Sequence, residues 1–404
     1  MDRKKILLII GFSLLSIAIG FGIYWFFFRS IFAPTPPTAP QPAVTPSAQL
    51  PTALPAAPRV TVPTPAAPAA PAADETAAGG LTKTVNLTTA PSLSPNLSPD
   101  GSSLSFYNRA DGKFYRLTPD GQLEPLSDKV FYNVQNITWA PNRDKAILEY
   151  PDQSKILYNF ASQTQVSLPK HWQEFSFSPS SEQISFLSMG LDKDNRWLAI
   201  SNADGSKTEA IEALGDNAKK VQVAWAPNNQ VLAFSKTGEA KGLDSQEILL
   251  VGKKHENFKS IIVNGINFNA KWAPDGEKIL YSVTNGNDDW KPSLWVVKAN
   301  VDTIGQNKTP LNLQTWAEKC TFSDASTLYC AVPKELPRGA GLVQKIADTI
   351  ADDLYKVDLN SGATSLVAIP SEDHTINNII VTDDAKYLYF TDKANGQVFK
   401  INLK

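Results

Sequence analysis

One short phrase returns seven times along this chain of 404 residues: an aromatic or β-branched residue, a small residue, a tight turn, then an apolar strand. Its clearest copy is Trp272-Ala273-Pro274-Asp275-Gly276, followed by Lys278-Ile279-Leu280-Tyr281. Variants stand at Leu97-Ser98-Pro99-Asp100-Gly101, Trp139-Ala140-Pro141-Asn142, Phe177-Ser178-Pro179-Ser180, Trp225-Ala226-Pro227-Asn228, Phe322-Ser323-Asp324 and Val381-Thr382-Asp383-Asp384. Proline presets the first corner of a turn, and Asp, Asn and Gly tolerate the backbone angles that reverse the chain. The phrase is therefore a hairpin loop, flanked by strands such as Val221–Trp225 before it and Val231–Phe234 after it. An all-strand repeat of roughly 40 to 50 residues is a β-propeller blade. Seven copies predict an all-β fold, a seven-bladed propeller of four-stranded antiparallel blades.

The ends of the repeat region predict how the ring closes. The last repeat supplies strands near 376–381, 386–391 and 397–402, and Lys404 follows one strand short of a blade. Residues Thr82–Thr89, with Val85 and Leu87, precede the first phrase and have no hairpin of their own. They are expected to form the outer strand of the last blade, which would hide an exposed sheet edge.

The Ser-Pro-Asp-Gly turn at 98–101 and Ala-Pro-Asp-Gly at 273–276 resemble the repeats of TolB-type propellers, relatives of the WD-repeat propellers. The resemblance covers about residues 81–404 and implies the fold, since propellers host many unrelated activities. TolB has a separate α/β domain before its propeller; here a membrane segment and a spacer take that place.

Residues 6–28 form an apolar run without a charge. At about 1.5 Å per residue, 23 helical residues span a hydrocarbon core of roughly 30 Å, so a transmembrane helix is expected. Arg3, Lys4 and Lys5 precede it and Arg29 follows. That bias places residues 1–5 in the cytoplasm and the rest outside. A cleaved signal peptide is the alternative, disfavoured by the length of the run and by Pro34 after Ala33. Residues 29–80 read as a disordered Pro/Ala-rich spacer, with 13 prolines between Pro34 and Gly80 and too few large apolar groups for a core.

Setting aside Arg3, Lys4, Lys5, Arg29 and Arg59, and Asp2, Asp74 and Glu75, from totals of 38 basic and 40 acidic residues leaves the propeller 33 and 37. A surface without basic excess argues against nucleic acid as a partner. Cys320 and Cys330 lie symmetrically about the sixth turn. A cross-strand disulfide is expected outside the membrane, with two buried thiols as the alternative.

Catalytic signatures are missing: the chain has no G-x-S-x-G, no G-x-x-x-x-G-K and no H-E-x-x-H. No metal site or cofactor is expected. The oxygen-rich runs Asp192–Asn195 and Asn285–Asp289 lack full calcium-loop spacing and read as solvated turns. Trp139, Trp225 and Trp272 share one repeat position, which assigns them to packing between blades. Tyr132, His171, Trp172, Trp316 and His374 instead precede innermost strands, and Trp290 lies between second and third strands. Loops of both kinds open on one mouth of a propeller's channel, so these six residues are expected to form an aromatic binding rim, the alternative being local packing. An insertion at 333–342 precedes a short amphipathic helix, Val343–Asp353, with Val343, Ile346 and Ile350 on one face, expected beside Trp316 as a lid or a cover.

The functional expectation is a membrane-anchored, extracytoplasmic, non-catalytic binding module or scaffold at a cell envelope, with an envelope protein or cell-wall polysaccharide as partner. An envelope lyase or glycan hydrolase working at the channel mouth is the alternative.

Overall fold

A computed structural model describes residues 72–404, apart from residues 243 and 257, together with Ser16 and Phe21. The expected membrane span at 6–28, those two residues aside, and the spacer up to residue 71 lie outside the described residues. Among the described residues no helix is long and apolar enough to cross a membrane.

Seven sheets follow one another along the chain, and each begins with an inner strand. The inner strands of blades 1 to 7 are Ser92–Leu97, Asn136–Trp139, Trp172–Phe177, Val221–Val223, Ile266–Trp272, Cys320–Phe322 and Ile376–Val381. Antiparallel second, third and outer strands follow, as Gln183–Met189, Arg196–Asn202 and Glu209–Ala213 do in blade 3. Two blades gain a fifth strand. In blade 4 the third strand, Ser245–Gly252, pairs with both Ile261–Asn264 and the short Ala240–Gly242. In blade 6, Gly80–Thr82 lies parallel to the outer strand Thr364–Pro370.

Second strands are covered by neighbouring blades on both faces, and their sequences are accordingly unbroken apolar runs rather than alternating ones. Val231–Ser235 is buried along its whole length, whereas the outer strand Thr164–Leu168 is exposed but for its last residue. The core is divided into seven masses, one at each blade interface, and a smaller eighth around Trp316 under the insertion. Leu104 and Phe106 of blade 1 meet Ile380 and Tyr389 of blade 7, and Phe234 of blade 4 meets Phe268 of blade 5. Burying one such aromatic side chain contributes about 1.5–3 kcal/mol, so the interfaces, more than any single sheet, hold the ring together.

The repeated phrase forms the turn between inner and second strands. In five copies the residue two after proline has positive φ, at Gly101, Arg143, Ser181, Asn229 and Gly276, and Ala385 takes the same place in the seventh. Its N–H donates to the carbonyl of the phrase's small residue, as Gly276 does to Ala273 at 2.9 Å. Adjacent turns also mesh. Asp383 N of blade 7 donates to Gly101 O of blade 1 at 2.9 Å, and Arg143 of blade 2 reaches past blade 1 to donate two 2.9 Å bonds to the Asp383 carboxylate. A side chain on Gly101 would collide with that carboxylate. Trp139 and Trp272 serve the same interfaces, each donating its indole N–H to a carbonyl of the preceding inner strand, Ser94 O at 2.7 Å and Ala224 O at 3.1 Å.

Val85–Asn86 pairs antiparallel with Val398–Asn402 and completes blade 7, with Leu87 N donating to Val398 O at 2.8 Å. Residues 72–80, which the sequence assigns to the spacer, belong instead to the propeller: Ala77 N reaches Asn402 O at 2.8 Å and Gly79 N reaches Val367 O at 2.9 Å. Cys320 and Cys330 stand opposite each other in the first hairpin of blade 6 and their sulfurs are bonded. The insertion helix is shorter than expected, a 3-10 segment over Gln344–Thr349, and its packing is reversed. Ala347 is buried with Ile350 packed beside it, while Val343 and Ile346 are exposed.

Candidate functional site: a polar central channel and a side pocket

The inner strands enclose a cavity of about 1000 Å³, lined by residues of blades 1, 2, 5, 6 and 7. The residue just before the phrase often faces it, as Asn96, Lys271, Thr321 and Ile380 do. The polar ones among them, Asn96, Lys271 and Thr321, were the signal available in the sequence, hidden by the large apolar residue that follows each, Leu97, Trp272 and Phe322.

Side chains link the inner strands around the ring. Gln222 donates to Ala270 O at 2.8 Å, and Asn269 donates to Glu318 Oε2 at 2.7 Å. The other Glu318 oxygen accepts from Gln344 of the insertion at 2.8 Å. Lys271 Nζ donates to Glu318 O at 3.1 Å and Cys320 O at 3.0 Å. Part of the Lys271 side chain is open to the channel, yet its ammonium is walled in by inner strands. Burial pulls its pKa down to about 8 against the opposing pull of the Glu318 charge. Lys319 and Asp352 form a buried pair with contacts of 2.6 and 2.7 Å, and Ile376 N adds a third donor to the carboxylate at 2.7 Å. Burial opposes both charges, lowering the lysine and raising the aspartate. Three donors on one carboxylate identify the ionised pair, whose contact offsets that cost.

The expected aromatic rim does not form as one surface. Tyr132 and His171 are exposed and Trp290 is half-buried, each on a different blade's loop. Trp172 is buried at the interface of blades 2 and 3, stacked on Phe186 with ring centroids 3.7 Å apart. Trp316 is buried under Leu336, Ala340 and Ala347 of the insertion. His374 is buried against Phe399, centroids 4.3 Å apart. Packing thus claims three of the six, because an indole at a blade edge gains more from an apolar interface than from the mouth. Among the six, His374 lines a side pocket of about 490 Å³ at the seam of blade 7 and the closing strand, and Trp316 borders a much smaller cleft with Glu318, Lys319 and Gln344. His374 Nδ1 lies 2.7 Å from Asp392 Oδ2, and Asp392 Oδ1 accepts from Ala394 N at 2.7 Å. In the neutral imidazole, that carboxylate places the proton on Nδ1 and leaves Nε2 an acceptor.

Among the described residues no group of three or more His, Cys, Asp or Glu side chains converges to hold a metal ion. Asp192 and Asn285 instead cap their own turns, accepting from Asp194 N at 3.2 Å and Asn287 N at 2.9 Å.

The molecule is a seven-bladed β-propeller. No family model matches it, and no curated protein does. Solved structures do. An oligogalacturonate lyase in complex with manganese superposes with a TM-score of 0.56 at 13% identity, covering 80% of this chain and 93% of that one. The oligogalacturonate lyase of Vibrio parahaemolyticus gives 0.53 at 11%, with the same coverage. The Cps50 (Swd1) propeller domain of Myceliophteria thermophila gives 0.52 at 12%, covering 80% of this chain and all of that domain. These likenesses define the fold, which two lyases and the Cps50 (Swd1) domain share.

Proposed function

We propose that this chain is a non-catalytic binding module of a cell envelope, held to the membrane by residues 6–28 and carried outside it on a Pro/Ala-rich spacer, where it engages an envelope protein or a cell-wall polysaccharide. One observation carries the reading: the scaffold engages nearly all of the channel's charged groups. Arg143 is spent on Asp383, Lys393 on Asp348, Asp392 on His374, Lys271 on two carbonyls, and Glu318 accepts from Asn269 and Gln344. What remains toward the channel is the exposed Arg109 and a wall of amide and hydroxyl, as at Asn96, Thr321 and Asn377. Arginine stays charged at any working pH, so such a wall offers hydrogen bonds and one cation to a partner without a free group that exchanges protons. The rival reading, an envelope lyase or hydrolase, rests on the His374–Asp392 dyad, an imidazole oriented by a carboxylate as general-base chemistry requires.

The propeller, residues 72–404, immobilised and exposed to envelope extract and to purified cell-wall glycan, tests both. Retention of a partner without release of soluble sugar fragments is the expected outcome. Fragments that accumulate with time, and that disappear in His374→Gln, would replace the binding module with an enzyme.

A further inference from the structure

We propose that the side pocket holding His374 is a saccharide subsite that selects amino sugars over uronic acids. This rests on the reading of the propeller as a binding module, and gives that module a ligand class and a location beside the central channel, with which the pocket shares Asp392, Ala394 and Asn395. The pocket's volume, about 490 Å³, lies in the range of sites for small ligands, roughly 300–1000 Å³. Thr84 and Asn86 of the closing strand supply one wall and Gln397 and Phe399 of blade 7 another, while Glu372 and His374 come from the loop between blades 6 and 7.

The argument for a ligand begins at His374 Nε2. The side chain is 3% exposed, and Nε2 is buried without a hydrogen-bond partner. In the neutral ring the hydrogen bond to Asp392 takes the Nδ1 proton, so Nε2 presents a lone pair, and a buried acceptor without a donor is unfavourable. Nε2 has almost no accessible surface as the ring stands, so a ligand hydroxyl reaches it on a small turn of the ring and then supplies the missing donor. The rest of the wall suits a sugar. Asn86 Nδ2 donates to Gln397 Oε1 at 2.8 Å, which fixes two amides at the pocket with further donor and acceptor capacity.

Charge then selects among sugars. The Glu372 carboxylate has no hydrogen bond or ion pair among the described residues, and Asp373, beside it, is held by Lys334 at 2.7 Å. The unpaired carboxylate at the rim attracts an ammonium group and repels the carboxylate of a uronic acid.

Calorimetric titration of residues 72–404 with a glucosamine tetrasaccharide and with a galacturonic acid tetrasaccharide, alongside NMR of the His374 ring nitrogens, tests the proposal. The glucosamine oligomer is expected to bind, to shift the Nε2 resonance, and to bind at least about tenfold tighter than the galacturonate. His374→Phe and Glu372→Gln should each weaken it by about five- to tenfold, the loss of one hydrogen bond or charge contact. The exposed Glu372 keeps the test open if His374→Phe fails to fold. Asn377→Ala, in the channel, should change nothing. Glucosamine binding that is lost in Asn377→Ala but kept in Glu372→Gln would move the site to the channel and overturn the pocket while sparing the binding module. No binding of the glucosamine oligomer, or an unmoved His374 resonance, would overturn the subsite whatever partner the envelope extract yields.

Discussion

Lys271 shows what the channel does to a single side chain. Its ammonium is bonded to two carbonyls but cut off from water, and the folded protein holds its pKa at about 8 against an ordinary 10.5. Between those values the unfolded chain binds more protons than the folded one, so this residue makes stability rise with pH from about 8 to 10.5 and contributes no slope below. The slope reaches at most about 1.4 kcal/mol per pH unit. Denaturation midpoints measured for wild type and Lys271→Met over this window should therefore converge or cross as pH rises, the wild type gaining on the variant. Parallel curves would mean that water enters the channel and solvates the amine.

Among the elements, the closing strand carries a disproportionate share of the ring's integrity. Val85–Asn86 seals blade 7 and Gly80–Thr82 adds a parallel strand to blade 6, while Ala77, Gly79 and Leu87 each donate a backbone bond across the seam. Removing residues 72–89 leaves every turn phrase in place but opens two edges. With several backbone bonds lost at about 1 kcal/mol each, the truncated domain should melt several degrees below the intact one. An unchanged melting temperature would show that the blade interfaces alone close the ring. This seam marks the limit of what the sequence discloses. The seven hairpins and the outer strand of the last blade were legible because each is written locally, in a phrase such as Trp272–Gly276 or an unpaired apolar segment such as Val85–Leu87. The fifth strand of blade 6 was not, since Gly80–Thr82 has no apolar alternation to announce it. The side pocket was half-legible: His374 stood out, but its partners Thr84 and Asn86 lie some 290 residues away and only ring closure brings them together. Trp316 misled for a similar reason, because the insertion that buries it begins only after the next two strands, Cys320–Phe322 and Thr327–Pro333, have ended.

On the scale of the whole molecule, the proposed anchor and spacer make a prediction about sidedness. Protease added to intact bacterial spheroplasts carrying the full chain should release a soluble propeller cut between residues 29 and 71. Protection of the propeller would place it on the other side of the membrane and remove the envelope reading. The seam has a further consequence, for the order of events during synthesis. Val85 must wait for Lys400, its register partner, before it can pair. At roughly 5–20 residues per second, the ribosome separates the two by about 15–60 s. Through that interval blade 7 does not exist and the first strands made have nowhere to go, so the nascent chain carries unpaired edges longer than a domain sealed by local contacts would. The clasp that protects the finished ring is thus the last part of it to form, and the unfinished ring keeps an open edge until its final strand arrives.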